Sequence, residues 1–284
     1  MASLKPDARA DSPAREVRNF AGTRPSLVDE VRELARFSHL LANLVQRDLT
    51  VRYKRSVLGF LWTMLNPLLL MIILSVVFSS IFRFAIAHYQ VYFLAAYLPW
   101  TFFAQTTTGA MSSLAWNGSL MKRVRVPKPI FAISTVVSGL ANLGLSCLPL
   151  LVIMLAVGAP LRPALLFLPV GFGILALFVL GTSLALSAVA VYFDDVAQMY
   201  QVALLGLMYL TPIFYPISIV PESYRWLIRL NPLVYFLELA RAPIYDGRLP
   251  SAHDLVIALA WAAVALVAGT AVFRRLAPGF YLHL

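Results

Sequence analysis

The sequence predicts an all-α integral membrane protein with six transmembrane helices, and three observations carry that expectation. First, 60% of the 284 residues are hydrophobic and only 13% are charged, against about 25% charged in a typical soluble domain. A soluble domain of this length must still cover its surface with polar groups, whereas lipid removes that requirement. Second, the apolar residues gather in long uncharged runs. Third, the formal net charge of +10 falls between those runs, rather than along one face of a soluble domain as in nucleic-acid binders. No nucleic-acid partner is expected.

The chain opens with a polar stretch. Residues 1–25 carry Pro6, Pro13 and Pro25 and five basic residues, with little apolar content, and read as a disordered cytoplasmic tail. The region 26–56 reads as an amphipathic interfacial helix, opened by Ser26 with Asp29 as a weak capping box. Leu27, Val31, Leu34, Leu41 and Val45 recur at helical spacing, and Arg32, Arg36, Arg47, Arg52, Lys54 and Arg55 occupy much of the rest. A helix this basic lies on the anionic inner leaflet or docks on a partner. The other reading, a helix of a small soluble domain, lacks further soluble sequence to give it a core. No cleavable signal peptide is expected, because the first run long enough to insert starts near Val57.

The transmembrane domain is expected over 57–276, with spans at about 58–82, 92–115, 130–157, 164–193, 196–216 and 255–273. The first holds 25 residues without a charge, where about 20 suffice to cross a bilayer. Backbone in lipid must satisfy itself, which leaves helices as the reading at these lengths. Asn66-Pro67, Pro149 and Thr211-Pro212 are expected to kink helices or to mark backbone that faces protein or water. With the amino terminus placed inside, seventeen Lys/Arg fall on inner segments and six on outer ones. The positive-inside rule then puts both termini in the cytoplasm, including the tail 277–284.

The stretch 216–254 is too polar to span and too apolar for a free loop. Pro221-Glu222 can start one short helix, bearing Tyr224, Trp226, Leu227 and Leu230. Asn231-Pro232 can start a second, with Asn231 as N-cap and proline at the first helical position. Two short aromatic helices over 221–246 are expected as re-entrant or interfacial elements on the outer side.

Catalytic signals are sparse. Nothing matches a phosphate-binding Gly-x-x-x-x-Gly-Lys-Ser/Thr loop. His39, His88, His253 and His283 are scattered near segment ends, and no cluster has metal-ligand spacing. Asp194-Asp195 is the one carboxylate pair beside a span. It reads either as a metal-diphosphate site of a membrane enzyme or as a helix start, with Asp195 and Gln198 forming a capping box. The lone Cys147 allows no intramolecular disulfide and reads as a small hydrophobe. No span carries a central charge, which argues against ion-coupled carriage and points to an energy source on a partner. Aromatic residues crowd the outer ends: Phe78, Phe82, Tyr97, Trp100 and Phe103 in spans one and two, Tyr209, Phe214 and Tyr215 in span five, and Trp226 and Tyr235 in the short helices. They form either an interfacial belt or a surface on which sugar rings stack, and periodicity does not decide between the two.

The run Arg47-Asp48-Leu49-Thr50-Val51-Arg52-Tyr53-Lys54-Arg55-Ser56-Val57-Leu58-Gly59-Phe60-Leu61-Trp62, followed by Asn66-Pro67, resembles a known family. So do Thr211-Pro212-Ile213-Phe214-Tyr215-Pro216 and Asn231-Pro232-Leu233. The sequence is similar, over residues 35–275, to the membrane subunits of type-2 ABC exporters that move polysaccharides such as O-antigen, teichoic acid, galactan and capsule.

That resemblance implies a homodimeric channel in the inner membrane, with two copies of a separate ATPase subunit below it. It implies no catalytic site and no cofactor on this chain, with ATP and Mg on the partner. Asn117, Lys122, Arg123, Arg125 and Lys128 would form the main ATPase-coupling segment, and Asp194 and Asp195 a second contact. Arg47, Arg52, Lys54 and Arg55 would line the inner surface, drawing in the headgroup of a lipid-linked polysaccharide or simply anionic lipid. The short helices at 221–246 would gate the outer side, and the aromatics above would line the path. The alternatives are a type-2 exporter of a drug, lipid or other amphiphile, a polyprenyl-phosphate membrane enzyme, and a scaffold subunit without a path.

Overall fold

The computed structural model describes residues 32, 34–53, 61–77, 86–118, 126–193 and 195–280, with the side chains of residues 52, 53, 61–64, 66 and 75 outside that description. The chain divides into two units, Met1–Ser38 and His39–Leu284. In the first, the described residues form a helical turn in which the Phe37 amide donates to the Leu34 carbonyl at 3.1 Å. The tail 1–25 and the Ser26–Asp29 cap lie outside the described residues.

Every regular element described from Ser38 onward is helical. In chain order they are α1 (Ser38–Tyr53), α2 (Leu61–Val76), α3 (Tyr89–Trp116), α4 (Ile130–Ala156), α5 (Leu168–Ala190), α6 (Asp195–Leu210), α7 (Glu222–Leu230), α8 (Pro232–Arg241) and α9 (Ala252–Leu276). A helix therefore occupies each of the six apolar stretches and both short outer ones. Among the described residues, three segments are long and apolar enough to cross a membrane by length and composition: Ile130–Ala156, Pro163–Ala190 and Ala252–Gly279.

The bundle is organised around α3. At 28 residues it is about 42 Å long, and it is buried on nearly every side, with Phe93, Ala95, Ala96, Ala110 and Leu114 fully enclosed. Small residues let its neighbours approach. A side chain at Gly139 of α4 would run into Thr106 and Phe102 of α3. Three threonine hydroxyls of α3 are satisfied locally: Thr101, Thr107 and Thr108 each donate to the carbonyl four residues back, at 2.7–2.8 Å.

Two of the three expected proline sites, Pro67 and Pro149, lie inside α2 and α4, and Pro99 lies inside α3 as well. At Thr211-Pro212 α6 stops, and the chain turns through Thr211–Pro216. Asn231 caps α8 by accepting from the Leu233 amide at 3.1 Å, with Pro232 as the first helical residue. Asp195 is the first residue of α6 and lies in its first turn, near the positive helix end. The last helix starts earlier than hydropathy suggests because Ser251 caps it, accepting from the Asp254 amide at 3.1 Å.

Candidate functional site

Chemistry gathers at the two ends of the bundle. One end holds the close of α3, the start of α4, the α5–α6 turn and the close of α9. Asn117 ends α3, buried, with its side-chain amide donating to the Ser113 carbonyl at 2.7 Å. Its Oδ1 accepts from the Arg47 guanidinium at 2.9 Å. Arg47 also pairs with Asp48 at 2.9 Å. Two residues that the sequence placed in separate roles, inner surface and coupling, are thus in direct contact, and they tie α1 to the end of α3.

On the other side of the same end, Lys128 donates to the Ala277 carbonyl at 2.5 Å and lies 5.3 Å from the centre of the Phe280 ring. Burial pushes the Lys128 ammonium pKa down. Phe280 is wholly buried between Tyr192 and Phe273. Tyr192, in the α5–α6 turn, donates to the Leu276 carbonyl at 2.7 Å. Gly279 packs against that hydroxyl, and a Cβ there would collide with it. The turn Ala277–Phe280 therefore clasps the segment before α4 to the turn before α6. Reading the sequence missed Tyr192 and Phe280; the signal was an aromatic pair at opposite chain positions, in stretches treated as span end and tail. Asp195 is exposed. Lys122, Arg123, Arg125, Asp194, Lys54 and Arg55 lie outside the described residues, as does the side chain of Arg52.

The opposite end is aromatic. Trp100 and Phe103 are buried, and Phe103, Phe178 and Phe236 form a ladder with ring centres 5.8 and 4.6 Å apart. Tyr97 and Phe214 both stack on Phe93, at 4.9 and 5.8 Å. Tyr215 donates to the Tyr209 carbonyl at 2.8 Å, and Tyr235 to the Arg229 carbonyl at 3.0 Å. Tyr209 and Trp226 are the open ones, 63% and 62% exposed. Phe78 and Phe82 lie outside the described residues.

The turn between α6 and α7 is held from outside. Tyr89 donates to the Phe214 carbonyl at 3.1 Å, and Tyr92 to the Tyr215 carbonyl at 3.0 Å. Arg241, at the end of α8, donates to the Pro212 carbonyl at 2.6 Å and lies 4.2 Å from the centre of the Tyr92 ring. The sequence reading counted Arg241 only as one of six outer basic residues. Its signal was a charge closing an apolar helix. Beside it, Arg248 bridges Glu238 and Asp246, each at 2.9 Å. Burial pushes the Glu238 carboxyl up, against the opposing pull of Arg241.

The sequence profile of the ABC-2 type transporter matches residues 39–245. The chain belongs to this family. Among its relatives, the O-antigen export system permease protein RfbA of Myxococcus xanthus is 36% identical, over 86% of this chain and 95% of the relative. The protein of the same name from Klebsiella pneumoniae is 29% identical over 84% of this chain and 92% of the relative. The capsule polysaccharide export inner-membrane protein CtrC of Neisseria meningitidis is 22% identical over the same shares, 84% and 92%. Residues 39–245 contain α2–α8 and most of α1, so the family match takes in the Arg47–Asn117 contact and the turn held by Arg241. The clasp at Ala277–Phe280 lies beyond the matched range.

Proposed function

We propose that this ABC-2 chain is the membrane-spanning subunit of an ATP-driven exporter of lipid-linked polysaccharide in the inner membrane. The observation that carries the reading is its similarity to an O-antigen export permease over almost the whole of both chains. In this reading α2, α3, α4, α5 with the turn before it, α6 and α9 are the six spans, both termini are cytoplasmic, and α7 and α8 are the outer gate.

Two copies form the path. Helix α6 has no buried residue, and it exposes Gln198 and Gln201 as well as Met199, Val202, Leu205 and Tyr209. Exposed glutamines are costly against hydrocarbon, so this face suits a second copy and a wet path between the two. Tyr209 and Trp226, with Tyr224 beside Trp226 on α7, are aromatic side chains left open for sugar rings. Trp100, Phe103 and Phe214 instead build the wall behind them.

Hydrolysis of ATP with Mg takes place on two copies of a separate ATPase subunit. The Asn117–Lys128 segment and the turn at Asp194-Asp195 receive its movement. The basic side chains Arg47, Arg52, Lys54 and Arg55 attract the headgroup phosphates.

The test is to purify the chain with the ATPase encoded beside its gene and to measure ATP hydrolysis with and without lipid-linked glycan. A stable complex whose hydrolysis responds to glycan supports the reading. Hydrolysis that ignores glycan and responds to drugs or simple lipids replaces it with an exporter of small amphiphiles. Turnover of a polyprenyl-phosphate substrate by the chain alone makes it an enzyme.

A further inference from the structure

Arg241 is 8% exposed. Burying a guanidinium is costly unless its surroundings compensate it; besides the nearby Glu238 carboxyl, the hydrogen-bonded compensation comes from one particular turn. The break after α6 leaves carbonyls without helical donors, and the prolines at 212 and 216 supply no amide hydrogen of their own. Donors from three other places fill the gap. Arg241 takes the Pro212 carbonyl, Tyr89 the Phe214 carbonyl, and Tyr92 the Tyr215 carbonyl. Asn231, at the joint of α7 and α8, donates to the Thr211 hydroxyl at 2.8 Å.

Arg241 is the one charged member of this set, and its hold is doubled. The Tyr92 ring that stacks under the guanidinium carries the hydroxyl that holds Tyr215, so one stacked pair grips both ends of the turn. The grip is also incomplete. The Arg241 Nε is buried with no hydrogen-bond partner among the described residues. A buried donor left without an acceptor costs free energy in this arrangement, so the closed turn is held less firmly than a fully satisfied guanidinium would hold it.

We propose that Arg241 is a positioning residue for transport: it pins the Thr211–Pro216 turn to α3 and α8 and so holds the outer end of α6, with Tyr209, in the resting position. Release of the Arg241–Pro212 bond frees α6 from the α7–α8 pair. This rests on the reading of α7 and α8 as the outer gate.

The experiment places spin labels at Ala87→Cys and Ser218→Cys, both exposed, in a Cys147→Ser background. The full complex is reconstituted in nanodiscs without nucleotide. The doubly labelled chain is diluted in excess unlabelled chain during assembly, so that only the within-protomer distance is read, and the wild type should give one narrow distance. Arg241→Met should add a second population, with the ratio of the two shifted by about tenfold, the size expected for a lost charged hydrogen bond. Glycan-independent ATP hydrolysis should rise with it. Arg241→Lys, which keeps charge but not the planar stack, should fall between.

An assembled Arg241→Met complex with the wild-type distance and wild-type hydrolysis overturns the proposal, as does one that merely melts earlier with its distances unchanged. If Arg241→Met does not assemble, Arg241→Lys carries the test, since it keeps the charge but not the planar stack on Tyr92. A wild-type distance with wild-type hydrolysis there overturns the proposal equally. The distance arm needs no glycan. A wild-type complex indifferent to glycan therefore counts against polysaccharide export while the Arg241 result still stands or falls separately.

Discussion

Gly181 of α5 and Gly269 of α9 meet backbone to backbone: a Cβ on Gly269 would fall on the carbonyl of Gly181, and one on Gly181 would fall on the backbone of Ala265. In a bilayer, apolar area drives helix association weakly because lipid is as apolar as leucine, so close approach through small residues takes its place. Ala258 and Ala262 continue the same buried stripe along α9. Gly181→Ala and Gly269→Ala should each destabilise the subunit by about 1–3 kcal/mol, the usual cost of overpacking. Thermal unfolding in detergent measures it. Gly206→Ala on exposed α6, where a Cβ meets nothing within 4 Å, should be neutral or slightly stabilising.

The Phe280 ring should matter more than its place near the chain end suggests. Phe280→Ala empties a fully buried site and should cost about 3–5 kcal/mol of stability. Tyr192→Phe keeps the ring and removes the bond to Leu276, worth about 1 kcal/mol. Because the clasp joins both segments assigned to ATPase contact, Tyr192→Phe should also lower glycan-stimulated hydrolysis while basal hydrolysis persists. Equal loss of both rates, or of neither, would show that the clasp carries no coupling.

The helices were legible because long uncharged runs admit few other structures, and the ends that moved did so for local reasons. Tyr89 joins α3 because His88 before it adopts a left-handed backbone, φ 48°, and Ser251 extends α9 through a polar cap that hydropathy does not register. The arrangement of side chains was not legible. An apolar face turned to lipid and one turned to protein have the same composition, so Trp100 and Tyr209 looked alike in the sequence, yet one is buried and the other open. Arg241 was hidden for a related reason: a charge count by loop assigns it to a side of the membrane and says nothing of burial.

The Arg47–Asn117 bond predicts a coupled pair. Asn117→Ala leaves the guanidinium its pairing with Asp48 but detaches α1 from the end of α3. Each single variant and the double variant Arg47→Ala/Asn117→Ala should show nearly the same loss of glycan-stimulated hydrolysis, with a coupling energy of about 0.5–3 kcal/mol in a double-mutant cycle on stability. Additive effects would mean that the two residues act separately, Arg47 on lipid headgroups and Asn117 as a helix cap.

Glu238 supplies a prediction in pH. Its carboxyl is raised from the usual value near 4.5, chiefly by burial, with Arg241 and Arg248 pulling the other way and Asp246 and Asp254 adding to the rise. Between 4.5 and the raised value, the folded protein binds this proton more than the unfolded chain does. Stability through this group is therefore greatest at low pH and falls as pH rises across that window. Glu238→Gln removes the titrating group while keeping its shape and one acceptor for Arg248. The variant should lose that part of the slope when melting temperature is followed from pH 4 to pH 7. The difference between variant and wild type should be smallest at the acid end and grow in the variant's favour as pH rises. Arg248, paired with Glu238 at the exposed rim, would offset part of this gain, since Gln holds it without charge. Repeating the series in high salt separates the two contributions: the exposed ion pair is screened and the burial penalty is not, so the pH slope should persist.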